Sequence, residues 1–146
     1  MKLESNHIIK SREEVKTFLA RLIYALKDKH TRIIIKYDRN SEGNKNIEHT
    51  NRFTIYDLNP DKPPEEFIRN EFSKLTIEEY MYCLEDDLYP DRNNLFVFAR
   101  LYEEKGYVYI KPRVNLITTS RMSIIVISFH YSTIDINDIC FPYKNL

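Results

Sequence analysis

Apolar residues recur at helical spacing near the N-terminus. Val15, Phe18, Leu19, Leu22, Ile23 and Leu26 fall on one side of a 3.6-residue turn. Ser11-Arg12-Glu13-Glu14 stands before them as a capping box, in which serine and glutamate each satisfy the other's backbone N–H. The spacing predicts an amphipathic helix over residues 12–28. The run TRIIIKY, residues 31–37, is β-branched and predicts a short strand. Residues 38–50 (DRNSEGNKNIEHT) are polar and predict a loop; with residues 1–10 they are the segments expected to be flexible. RFTIYD, residues 52–57, fits either a strand or an extended lead-in to the next helix. Pro60, Pro63 and Pro64 follow, and proline suits a first helical turn. Phe67, Ile68, Phe72 and Leu75 then share a side, predicting a second helix over 64–74. Thr76-Ile77-Glu78-Glu79 is another capping box and predicts a short helical turn through Tyr82. EDDLYPDRNN, residues 85–94, reads as an acidic loop.

The last third changes period. LFVFARLY (95–102), YVYIKPRV (107–114) and RMSIIVISFH (121–130) read as three strands. Glu103-Glu104-Lys105-Gly106 reads as a four-residue hairpin loop and residues 115–120 as a second turn. The expected fold class is α+β: an antiparallel sheet with a C-terminal three-strand meander, packed against N-terminal helices. The chain shows no repeat or boundary, and residues 1–146 are expected to form a single domain.

Period-two alternation sorts the expected hairpin into two faces. If the four-residue loop sets the register, Tyr102 pairs with Tyr107, Arg100 lies opposite Tyr109, and Phe98 lies opposite Lys111. One face then carries Phe96, Phe98, Arg100, Tyr102, Tyr107, Tyr109, Lys111 and Arg113. The other carries Leu95, Val97, Ala99, Leu101, Val108, Ile110 and Val114, and is expected to meet the helices. Aromatic rings interleaved with cations suit unpaired RNA, whose bases stack and whose phosphates need positive charge. The same residues also make an ordinary solvated sheet face of cross-strand partners. On the third strand, Met122, Ile124, Val126 and Ser128 are expected to share a face with His130. An imidazole there is placed to titrate near neutral pH.

Composition narrows the chemistry. Lysine plus arginine total 22 and aspartate plus glutamate total 22, so the formal net charge is zero. That argues against a surface that coats DNA and leaves room for a small local RNA site. With only Gly43 and Gly106, neither G-x-G-x-x-G nor a P-loop can be written. Cys83 and Cys140 are far apart and form no C-x-x-C, so a zinc ribbon or thioredoxin-like motif is excluded. The four histidines share no ligand spacing, and neither a metal nor another cofactor is expected. No apolar leader or membrane span is legible, and reduced thiols in a cytoplasmic protein are the expectation.

Several short blocks together resemble the MqsR-type toxins of bacterial type II toxin–antitoxin systems. Leu75-Thr76-Ile77-Glu78-Glu79-Tyr80 is similar to the family's L-T-x-x-D-Y. Leu95-Phe96-Val97-Phe98-Ala99-Arg100 is similar to its W-V-F-G-K strand, with Phe96, Ala99 and Arg100 replacing tryptophan, glycine and lysine. Val108-Tyr109-Ile110-Lys111 matches V-Y-I-K, Ile127-Ser128-Phe129-His130 matches I-S-F-H, and Phe141-Pro142-Tyr143-Lys144 matches a C-terminal F/Y-P-Y-K. The blocks stand in the family's order across residues 50–144. After Lys111, Pro112 interrupts the strand, an unusual residue for a ladder position.

The resemblance implies a RelE-like ribonuclease fold, metal-independent cleavage of mRNA, and neutralisation by a cognate antitoxin protein. It implies single-stranded RNA as substrate, with no membrane partner and no DNA bound by the chain on its own. A metal-free ribonuclease must remove the ribose 2′ proton, stabilise the phosphorane and protonate the leaving 5′ oxygen. Under this reading His130 is the acid or base, and Tyr109 positions the phosphate or joins proton transfer. Lys111 and Arg100 hold the phosphate. Arg113 and Tyr107 bind flanking nucleotides, Phe98 stacks a base or packs, and Lys144 is a candidate from the tail. Two other readings stay open. One is a non-catalytic interaction module, an immunity-like protein or degenerate toxin, whose sheet face and acidic Asp86, Asp87 and Asp91 dock a protein. The other is a sheet that binds RNA without cutting it.

Overall fold

A computed structural model of the chain describes residues 7–38, 47–85, 94–118, 121–133 and 138–144. The elements run β1 (His7–Ile8), α1 (Arg12–Lys27), β2 (Arg32–Ile35), α2 (Asn51–Leu58), α3 (Pro64–Phe72), β3 (Tyr80–Leu84), β4 (Leu95–Tyr102), β5 (Gly106–Thr118) and β6 (Arg121–Tyr131). Six strands form one sheet in the order β1-β3-β4-β5-β6-β2. Every neighbouring pair is antiparallel except β2 with β6. The class is therefore α+β, and the three-strand meander is present as β4-β5-β6. Among the described residues no helix is long and apolar enough to cross a membrane.

The first capping box forms as read: Ser11 Oγ accepts from Glu14 N at 3.2 Å, and Glu14 Oε1 accepts from Ser11 N at 3.3 Å. A cap of this kind stabilises a helix by about 1 kcal/mol. Val15, Leu22 and Ala25 of α1 are fully buried against the sheet. All three helices pack on one face, where Ile55, Ile68 and Phe72 join Phe98, Val108, Ile110, Ile124, Val126 and Phe129 in the main core. The Arg69 guanidinium of α3 donates to Leu26 O and to Thr31 O, tying the end of α1 and the approach to β2 onto α3.

Three local expectations are corrected. Residues 52–57 are neither strand nor extended lead-in but lie within α2, capped by Thr50 Oγ1, which accepts from Phe53 N at 3.1 Å. The second capping box opens only a three-residue 3₁₀ turn, Ile77–Glu79, and the chain then becomes β3 rather than continuing helical to Tyr82. The turn expected over 115–120 is shorter, because β5 runs to Thr118. Of the segments read as loops or tails, residues 1–6, 39–46 and 86–93 lie outside the described residues, and Asp86, Asp87 and Asp91 with them.

The sheet side of α2 explains its buried polar residues. The β2–β6 ladder ends at Ile35↔Val126, yet β6 continues to Tyr131. There α2 replaces the missing strand with side chains. Asn51, fully buried, donates to Lys36 O at 2.7 Å and to Ile127 O at 3.0 Å, and accepts from Phe129 N at 2.9 Å. Thr54 Oγ1 accepts from Tyr131 N at 3.1 Å. Asn51→Ala strands the buried Phe129 N–H and two part-buried carbonyls, and is expected to cost roughly 1–3 kcal/mol, the usual cost of a buried group left unpaired. A lowered urea midpoint at unchanged m-value checks it.

The helix-side core also sets an alkaline limit. Burial pushes the Cys83 thiol up to about 11 from an ordinary 9.0. The Tyr80 phenol, which donates to Cys83 Sγ at 3.3 Å, is likewise raised by burial. Both folded-state values lie above the unfolded ones, so the unfolded state releases protons first as pH rises. Stability from these groups is complete below about pH 9 and is lost as pH climbs toward 11. Urea midpoints measured from pH 7 to 11 are expected to hold level to about pH 9 and then fall; a level profile to pH 11 would contradict the assignment.

Candidate functional site

The hairpin register differs from the expected one by a single residue. Gly106, at φ 113°, pairs directly with Tyr102, so only Glu103, Glu104 and Lys105 form the loop. Glycine takes this positive φ without steric cost, and Lys105 N donates to Tyr102 O at 3.0 Å to close the turn. The pairs become Leu101↔Tyr107, Arg100↔Val108, Ala99↔Tyr109 and Phe98↔Ile110. A one-residue slip moves every side chain of a strand to the opposite face relative to its neighbour. The mixed aromatic and cationic face expected from both strands is therefore divided between two faces.

Phe96, Phe98, Arg100 and Tyr102 lie on the helix side. Phe98 is fully buried, 6.0 Å from the Phe18 ring and 5.8 Å from Tyr80, where no base can reach it. Arg100 is a structural cation. Its Nε and Nη2 donate to the two Glu79 carboxylate oxygens at 2.8 and 3.1 Å, and Nη1 donates to Glu71 O at 2.8 Å. Tyr102 donates to Glu71 Oε1 at 2.6 Å, and Lys74 Nζ lies 3.2 Å from Glu71 Oε2. Burial works against the Arg100 charge, but Glu79 outweighs it and the guanidinium is held above its ordinary value. Phe98 and Arg100 thus leave the proposed site.

The outer face keeps the β5 set. Tyr107, Tyr109, Lys111 and Arg113 alternate along β5, and Tyr109 packs with Met81, Tyr82, Val97 and Ala99 in a second, smaller cluster. The β6 expectation also needs correction. Lys111 pairs with Ser128 but Pro112 pairs with Val126, so Ile127 is an extra residue in β6, a β-bulge. The bulge inverts the alternation. Met122, Ile124 and Val126 belong to the helix-side core, while Ser128 and His130 fall on the outer face, beside Lys111 and Tyr109. The three residues on one side of the bulge do not share a face with His130. Asn51 holds this bulge, because two of its bonds go to Ile127 O and Phe129 N.

Two cross-strand pairs thus assemble the candidate site: Tyr109 with His130, and Lys111 with Ser128. The Tyr109 and His130 rings meet edge to face, 6.0 Å apart at 86°. Tyr109 is 6% exposed, His130 2% and Ser128 1%. His130 Nδ1 lies 3.2 Å from Tyr131 O. The hydroxyls of Tyr109 and Ser128 are buried without a well-formed hydrogen bond among the described residues. Burial pushes the Tyr109 phenol up, and the neighbouring Ser132 side chain draws it partway back. Buried hydroxyls in native proteins are nearly always paired, and Ser128, on the same face, is an exception among the described residues. Ser128 was not among the sequence candidates, although it lies inside the Ile127–His130 block. Asn51 was also missed, because its segment was not read as helix.

The remaining candidates are dispersed. Tyr107 packs against Phe141 at 5.9 Å, and Lys144 Nζ stands 5.5 Å over the Phe141 ring. Ile139 and Phe141 lie on the outer-face cluster, and Tyr143 stacks on Tyr80 at 6.0 Å while donating to Lys10 O. The C-terminal segment therefore covers part of the outer face. Arg113 lines a separate cavity between α1, β4 and β5. The chain matches no protein-family model, and no curated protein or solved structure is significantly similar to it.

Proposed function

We propose that the chain is an MqsR-like toxin of a type II toxin–antitoxin system, with a RelE-like ribonuclease fold, and cuts single-stranded mRNA without a metal. One observation carries the reading: the two blocks most similar to that family, Val108–Lys111 and Ile127–His130, are direct cross-strand partners. These blocks, on the consecutive strands β5 and β6, bring an imidazole, an ammonium and two buried hydroxyls to one face.

The chemistry follows from the groups. The ribose 2′ oxygen attacks the adjacent phosphorus, the bond from phosphorus to the 5′ oxygen breaks, and a 2′,3′-cyclic phosphate and a 5′ hydroxyl form. His130 takes the 2′ proton or delivers one to the 5′ oxygen. The Lys111 ammonium meets the charge that builds on the phosphorane, and the Tyr109 and Ser128 hydroxyls donate to its oxygens. Tyr107 and Lys144 border the site for flanking nucleotides. With Tyr109 and His130 almost fully buried, substrate engagement requires the outer face to open. That burial also favours a second reading, a non-catalytic interaction module whose closed face is purely structural.

One experiment separates them. The purified chain with a labelled mRNA fragment in excess EDTA is expected to yield fragments ending in 2′,3′-cyclic phosphate, and expression without an antitoxin is expected to arrest growth. Intact RNA and unimpeded growth with folded protein would discard the ribonuclease.

A further inference from the structure

The ladder between β4 and β5 ends at Phe98↔Ile110, although both strands continue. Leu95 to Val97 remain paired with β3 on their other side. Residues 112–116 and 118 remain paired with β6. Each strand therefore keeps its extended form while its inward edge has no ladder partner among the described residues. Pro112 stands at the break and has no N–H to offer. A cavity of about 640 Å³ opens here, lined by both edges and roofed by α1.

The lining has a definite character. Phe18 of α1 stacks on Phe96 of β4, with ring centroids 4.3 Å apart, and presents an apolar wall. The two acids on the rim already have cations: Glu14 lies 3.7 Å from Lys10, and Glu13 lies 3.9 Å from Lys16. Arg21 and Arg113 line the same cavity and form no ion pair among the described residues. The surplus charge in the slot is positive.

We infer that this slot between β4 and β5 receives an extended acidic peptide strand from a partner protein. Facing edges without ladder partners are what a strand satisfies when it adds to a sheet, through main-chain hydrogen bonds on both sides. Side chains of an inserted strand alternate between the faces. One set meets Phe18 and Phe96 under α1, and the other set meets Arg113 on the outer face. Alternating apolar and acidic residues fit both. A nucleotide strand would use the arginines but leave the strand edges unanswered, which is why the peptide is favoured. The inference stands apart from the ribonuclease reading, because it uses neither His130 nor Lys111.

The test is fluorescence anisotropy of a labelled decapeptide of alternating valine and glutamate with the full chain. Saturable binding is expected, with protection of the amides of Leu95–Val97 and of residues 113–115 from hydrogen exchange. Arg113→Glu is expected to weaken it at least tenfold, and N-methylation of alternate peptide residues to abolish it. A valine–lysine decapeptide is expected not to bind. Three results would each overturn the proposal: no binding, equal binding of the N-methylated or lysine peptide, or protection of these amides by an oligouridylate instead of the peptide.

Discussion

Arg100→Ala is expected to lower stability by about 3–5 kcal/mol, the usual cost of removing one partner from a buried ion pair. The guanidinium is 11% exposed, and it joins Glu79 of the 3₁₀ turn to the main chain of α3 at Glu71. Its loss leaves the Glu79 carboxylate, 22% exposed, with the Thr76 bonds of its capping box as its remaining hydrogen bonds among the described residues. It also takes away the second cation of Glu71, 3.8 Å from a carboxylate that is 9% exposed, and leaves Lys74 at 3.2 Å. Urea unfolding checks the size of the effect. Arg100→Lys is expected to recover only part of it, because an ammonium cannot span both Glu79 oxygens at once. Had Arg100 been a phosphate-binding group, Arg100→Ala would leave stability nearly intact and reduce only RNA cleavage. A variant with wild-type unfolding and lost cleavage would return Arg100 to the site.

His130→Ala and Lys111→Ala are each expected to reduce RNA cleavage at least about a hundredfold, the usual effect of deleting a general acid–base or a charge-stabilising group. Ser128→Ala removes a hydroxyl that has no hydrogen bond among the described residues. It is therefore expected to leave stability near wild type while lowering cleavage, a combination a purely structural serine would not produce. The pair of measurements matters for His130, whose burial means that Ala also opens a cavity. Single-turnover cleavage should be read beside the unfolding curve of the same preparation. Near-normal cleavage by folded His130→Ala and Lys111→Ala would remove both from the mechanism.

Much of the local structure was legible because its causes are local. The Ser11/Glu14 box, the apolar stripe of α1, the proline entry to α3 and the three strands of the meander each follow from a few neighbouring residues. The segment 52–57 misled because Phe53 and Ile55 alternate with polar residues over so short a run that strand and helix patterns coincide. Its helical state is supported by Thr50 and by bonds to β6, which lies more than seventy residues further along.

The residues themselves determined the fold class, α1, α3, the three meander strands and the membership of the two faces within β4 and within β5. They placed Tyr107, Tyr109, Lys111 and Arg113 together, because alternation within one strand is a property of its own backbone. Which of those faces meet was decided by tertiary structure. A positive φ at Gly106 shortened the hairpin loop by one residue and parted Arg100 from Tyr109. An extra residue at Ile127, held by Asn51, turned Ser128 and His130 toward Tyr109 and Lys111. Side-chain direction repeats every two residues, so a shift of one reverses it completely. Such shifts are set by turn and bulge geometry and by long-range hydrogen bonds, none of which the hydrophobic pattern records.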